Sequence, residues 1–144
     1  MKQPEFDLKS ITHLNDLNHY ACVYVYWNGG KGTKNPFKIG YSNNIGQRIS
    51  SLKNDFSLCS IYVVLFCNGC DAKTVEILLK SVFRSLQLPE DRKRTIQSEW
   101  FKPDKIWKRQ EIIFFIYDFF KMCFQNKDYI DFYFNHEKKR INHI

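Results

Sequence analysis

The sequence predicts an α+β fold: a small antiparallel sheet of about three strands flanked by helices, with an added N-terminal helix and a long C-terminal helix. Two observations predict it. Three short runs rich in Val, Ile and aromatic residues, at 21–27, 37–41 and 60–66, are bounded by Gly, Asn, Pro or Ser, as strands are. Between and after them, apolar residues return at the helical period. With 144 residues, 44% of them hydrophobic and 17% aromatic, the chain can bury one core and has little left for a second. A single domain spanning 1–144 follows.

Taken in order, Phe6, Leu8, Ile11, Leu14 and Leu17 predict an opening helix over 5–18. The first strand, 21–27, runs into Asn28-Gly29-Gly30-Lys31-Gly32, which is turn chemistry, and 37–41 is the return strand of a hairpin with a long connection. Asn43 or Asn44 can cap a short helix with Ile45, Ile49 and Leu52 on its inward face and Arg48 near its middle. The third strand, 60–66, precedes Asp71, a cap for a helix carrying Val75, Leu78, Leu79, Val82 and Leu86, with Glu76 in its first turns. Pro89 and the Arg92-Lys93-Arg94 triplet place a loop over 87–97. After Glu99-Trp100-Phe101, Pro103 precedes a last helix from about Asp104 to Gln125, and the tail alternates Tyr129, Phe132 and Phe134 before Lys138-Lys139-Arg140.

The formal net charge is +7, and residues 73–144 carry 15 basic and 10 acidic groups against 7 and 5 in residues 1–72. Such a basic C-terminal half suits a polyanion, whose neutralised phosphates release counterions, or else makes a solvated Lys-rich surface. Five scattered cysteines and no leader-like stretch lead to an expectation of a reducing, intracellular setting. Cys67-Asn-Gly-Cys70 has metal spacing, but no second pair or nearby His completes four ligands, and Asn-Gly there marks a tight turn. The apolar stretch 112–124 is interrupted by Asp118 and Lys121 and is too short to cross a membrane. Being apolar nearly all round, the helix containing it must be covered by this domain, a partner or a second copy.

Five short signatures then stand in a fixed order: Val23-Tyr24, Lys38-Ile39-Gly40, Arg48, Glu76 and Glu99-Trp100-Phe101. Together they resemble the GIY-YIG nuclease superfamily, in the phage and bacterial branch whose second signature reads Lys-Ile-Gly and which ends in Glu-Trp-Phe. Arg48 follows Lys38 by ten residues, which resembles the interval between second signature and catalytic arginine in the superfamily's bacterial excision-repair nucleases. The resemblance covers 21–103 and leaves 104–144 as a C-terminal helix and basic tail. Three departures accompany it: Cys22 stands where the family has Gly, Lys38 stands for a Tyr, and Tyr24 and Lys38 lie 14 residues apart, a longer interval than usual.

The resemblance implies a metal-dependent endonuclease acting on nucleic acid, DNA ahead of RNA. Tyr24 would orient or deprotonate the attacking water, helped by the charge of Lys38, and Tyr41 would hydrogen-bond the phosphate or the water. Arg48 would offer its planar donor fork to phosphate oxygens, and Glu76 would be the carboxylate ligand of Mg²⁺ or Mn²⁺. Arg92, Lys93 and Arg94 are candidate phosphate contacts. Trp100 and Phe101 suit core packing at least as well as base stacking. The rival expectation is a nucleic-acid-binding module of the same fold with weak or no cleavage, dimerising or meeting a protein partner through the 104–125 helix.

Overall fold

The computed structural model describes residues 13–28, 36–52, 59–67, 70–87, 100–125, 127–135 and 138–142. Strands β1 (Cys22–Asn28), β2 (Phe37–Ser42), β3 (Cys59–Phe66), β4 (Trp100–Phe101), β5 (Tyr129–Asn135) and β6 (Lys138–Asn142) join in one six-stranded sheet, in the order β4-β2-β1-β3-β5-β6. All five pairings are antiparallel. Helices α1 (Ile45–Leu52), α2 (Ala72–Val82) and α3 (Arg109–Cys123) complete the fold.

The expected sheet of about three strands is thus extended at both edges. β4 is only two residues long, too short to carry an alternation. The tail expected to trail from the last helix instead returns as β5 and β6, and β5 pairs with β3 along its length, from Ser60 opposite Asn135 to Phe66 opposite Tyr129.

Both faces of the sheet are covered, which explains why the central strands are apolar without alternation. On one face, Val23, Val25, Trp27, Phe37, Ile39, Tyr62, Val64 and Phe66 pack against α2 and α3. On the other, Tyr24, Tyr26, Ile61, Val63 and Leu65 pack with Ile45 and Ile49 of α1 and with Leu17. Leu17 ends a 3₁₀ turn, Leu14–Leu17. That turn stands in place of the described end of the expected opening helix, the rest of which lies outside the described residues.

Helix α3 starts five residues later than the sequence predicts. The Asp104 carboxylate accepts the Ile106 and Trp107 N–H groups at 2.9 and 2.6 Å, and the Asp104 N–H donates to the Trp107 carbonyl at 2.9 Å. Those bonds close a turn that competes with helix. From Lys108 onward the helix lays Ile112, Ile116 and Phe120 on the sheet, so this domain itself covers that side. Arg109 fixes its start, with the guanidinium 4.9 Å from the Trp27 ring centre and 3.3 Å from Ser60 Oγ. Phe114 and Met122 remain exposed. Among the described residues, no helix is long and apolar enough to cross a membrane.

Candidate active site

The site forms where β2 outruns its neighbour. Among the described residues, β4 pairs with β2 only at Phe37 and Lys38, and helices from opposite faces of the sheet reach round the rest of that edge. A cleft of about 170 Å³ opens there, lined by Tyr24, Gly40, Tyr41, Ser42, Asn43, Arg48 and Glu76.

Tyr24 comes from β1, directly across from Gly40. A Cβ on Gly40 would lie 2.6 Å from the Tyr24 Oη and 2.7 Å from its Cζ, closer than atoms pack. The glycine of the second signature therefore leaves the space in which the end of the tyrosine ring lies, and the two residues line the cleft together. Tyr41, next along β2, is 40% exposed at the mouth, with the Lys73 ammonium 6.0 Å from its ring centre.

Arg48 is held by local bonds that the sequence partly announces. Asn44 caps α1, accepting the Gln47 N–H at 3.2 Å, while its own N–H donates to Ser42 Oγ at 3.0 Å. The Gly46 N–H donates to Asn18 Oδ1 at 2.6 Å, so the segment before β1 also fixes the first turn of α1. With Ile45 and Ile49 buried, Arg48 projects outward into the cleft.

Glu76 arrives from the other face on α2, which Asp71 caps by accepting the Lys73 N–H at 3.0 Å and the Thr74 hydroxyl at 2.9 Å. It lies on the buried side of the helix, only 7% exposed. Its Oε1 is 3.6 Å from the Lys80 ammonium.

Of the residues the sequence singles out, Tyr24, Tyr41, Arg48 and Glu76 line the same cleft. Lys38 does not. It stands across from Tyr26, is almost wholly buried, and its ammonium is 5.9 Å from the centre of the Trp100 ring. Phe101 is fully buried and stacks on Phe37 at 5.4 Å, and Trp100 meets Tyr26 edge to face at 6.3 Å, so this pair packs the core. Arg92, Lys93 and Arg94 lie outside the described residues, as does the connection that lengthens the interval between the two signatures.

Ser42 and Asn43 also line the cleft; their signal was adjacency to the signature glycine. Nothing in the sequence alone pointed to Asn18 or Lys80.

Apart from the Arg48 guanidinium, the polar side chains that line the cleft with Glu76 offer one carboxylate, hydroxyls and a carboxamide, without sulfur or imidazole. Such an all-oxygen set fits a hard divalent ion that keeps much of its water, and does not fit zinc. Among the described residues, no three His, Cys, Asp or Glu side chains group to hold a metal, so Cys67 and Cys70 have no such partners. Burial, and next Asp128 for Cys67 and Asp71 for Cys70, push both thiols up, towards the unreactive protonated form. Cys22 is buried on the α1 side and is pushed up to about 12 by that burial.

An antiparallel sheet that brings a strand tyrosine, a helix arginine and a helix glutamate to one edge, around a glycine that makes room for the tyrosine, defines a GIY-YIG-like domain. The chain belongs to the T5orf172 domain family, which matches residues 21–115 and lies within the GIY-YIG nuclease clan. No curated protein and no solved structure matches it.

Proposed function

We propose that the protein is a divalent-metal-dependent endonuclease that hydrolyses phosphodiester bonds in nucleic acid, with DNA as the first substrate to test. The observation that carries this reading is the convergence of a phenol, a guanidinium and a carboxylate, from three separate elements, on one open cleft. Membership of a GIY-YIG-like family supports it. The departures at Cys22 and Lys38, which would favour a binding module without cleavage, both fall outside the cleft lining, so neither removes a group from it.

In this mechanism Arg48 grips two non-bridging oxygens of the scissile phosphate with its planar fork and offsets the charge that builds on them. The Tyr24 hydroxyl, beside Gly40, orients the attacking water by a hydrogen bond. As the new P–O bond forms the water gives its proton to solvent, and the P–O bond to the leaving sugar oxygen breaks, that oxygen taking up a proton from solvent. Tyr41, Ser42 and Asn43 supply further hydrogen bonds that hold the phosphate in line for attack. Glu76 would hold Mg²⁺ or Mn²⁺, which when bound supplies Lewis-acid stabilisation of the phosphoryl oxygens. Arg92, Lys93 and Arg94 add sequence-independent phosphate contacts.

The test is cleavage of single- and double-stranded oligonucleotides by purified protein, with and without divalent ion. Cleavage should require the ion, and Glu76→Gln should abolish it while leaving the fold and most of the nucleic-acid affinity, which comes from the basic surface. A Glu76→Gln variant cutting as fast as the parent, at equal stability and metal concentration, would overturn the mechanism.

A further inference from the structure

Glu76 already has a cation against it. The Lys80 ammonium lies 3.6 Å from Oε1, one turn further along α2, and the Lys80 and Glu76 side chains are 21% and 9% exposed. A pair of this spacing out in water contributes little. Here the carboxylate sits on the buried side of the helix, in the wall of the cleft, where water screens its charge less. The lysine therefore competes with any metal in two ways: it draws on the oxygen a metal would coordinate, and its charge repels a second cation only a few ångströms away.

We propose that Lys80 is the resident counter-ion of Glu76: a divalent metal enters by displacing it, and a substrate phosphate arriving in the cleft draws the ammonium away. The exchange makes and breaks only ionic contacts. The ammonium passes from carboxylate to phosphate, and the metal takes its place on the carboxylate. Metal and nucleic acid then bind cooperatively, each tightening the other by the same factor, so the free protein holds metal weakly and loads it where a phosphate backbone is present. This inference rests on the assignment of Glu76 as the metal ligand under the proposed function.

The experiment titrates Mn²⁺ into the full chain and follows free Mn²⁺ by its paramagnetic resonance signal, with and without a phosphorothioate oligonucleotide whose own Mn²⁺ uptake is measured separately. The parent, Glu76→Gln, Lys80→Met and Lys80→Arg are compared, with Lys80→Gln as a second neutral variant should the Met form fold poorly. Without oligonucleotide, Lys80→Met should bind Mn²⁺ on the order of tenfold tighter than the parent, since a cation only a few ångströms away is gone. Lys80→Arg should bind like the parent. Oligonucleotide should tighten Mn²⁺ binding several-fold in the parent and far less in Lys80→Met. Equal affinity of parent and Lys80→Met, with Glu76→Gln unable to bind, would overturn the competition. Equal enhancement by oligonucleotide in both would overturn the handover. Undiminished binding by Glu76→Gln would instead show that the metal assignment itself is wrong.

Discussion

At the scale of single residues, the site depends on one absent side chain. The Tyr24 ring occupies the space of a Gly40 Cβ, so Gly40→Ala must push the ring aside or move β2 against β1. Overpacking of that kind costs about 1–3 kcal/mol, which should appear as a lowered melting temperature with an unchanged far-ultraviolet spectrum. Cleavage should fall much further than stability, because the displaced hydroxyl no longer meets the water; full activity in a correctly folded Gly40→Ala would mean that Tyr24 has no part in the chemistry. Arg48→Lys separates charge from geometry. The ammonium keeps the charge but loses the planar fork, and since Arg48 is exposed beyond the packed face of α1, kcat should fall by at least about tenfold while the melting temperature holds. These residues were legible in the sequence because signatures mark them and because each stands on an element with strong local signals. Lys38 was legible only as part of a signature. Its place beside Trp100 follows from the pleat and from the pairing with β4, neither of which a motif conveys.

Among the elements, those whose evidence is local were readable and those that depend on distant partners were not. β1, β2 and β3 show themselves by composition, and α2 by its Asp71 cap and apolar spacing. The tail carried an alternation of Tyr129, Phe132 and Phe134, but what makes it a strand is β3, some seventy residues earlier. A partly buried side-chain hydrogen bond crosses that pairing: the Tyr62 hydroxyl donates to Asp131 Oδ2 at 2.7 Å, beneath Tyr117 of α3, whose ring lies 4.8 Å away. Tyr62→Phe leaves the carboxylate without that donor and should cost about 1–3 kcal/mol, read as a shift in denaturant midpoint. Burial and then the Asp131 charge hold the Tyr62 phenol far above its ordinary value of 10.0. A group raised on folding gives its full stabilisation below its unfolded pKa and loses it as pH climbs towards the folded one. The parent should therefore hold its stability up to about pH 10 and lose it above, more steeply than Tyr62→Phe does. Parallel stability profiles above that pH would show that the pair does not couple to folding.

For the whole molecule, the extent of the family match and the extent of the sheet differ. The match ends at residue 115, inside α3, yet β5 contributes the buried Tyr129, Phe132 and Phe134 and pairs with β3 from end to end. Ending the chain after Gln125 would keep the cleft residues and α3 while uncovering the edge of β3, a row of unpaired N–H and C=O groups flanked by apolar side chains. Such an edge recruits other chains. It would also remove three large aromatic side chains from both packed faces, each contributing about 1.5–3 kcal/mol when fully buried. Against the 5–15 kcal/mol by which domains of this kind are stable, the loss takes most of the margin. The shortened chain should accumulate in the insoluble fraction, or as large aggregates on size exclusion, although no proposed catalytic group has been touched. A monomeric product ending at Gln125 that melts cooperatively near the parent temperature would show that the matched region suffices as a folding unit and that β5 and β6 merely decorate it.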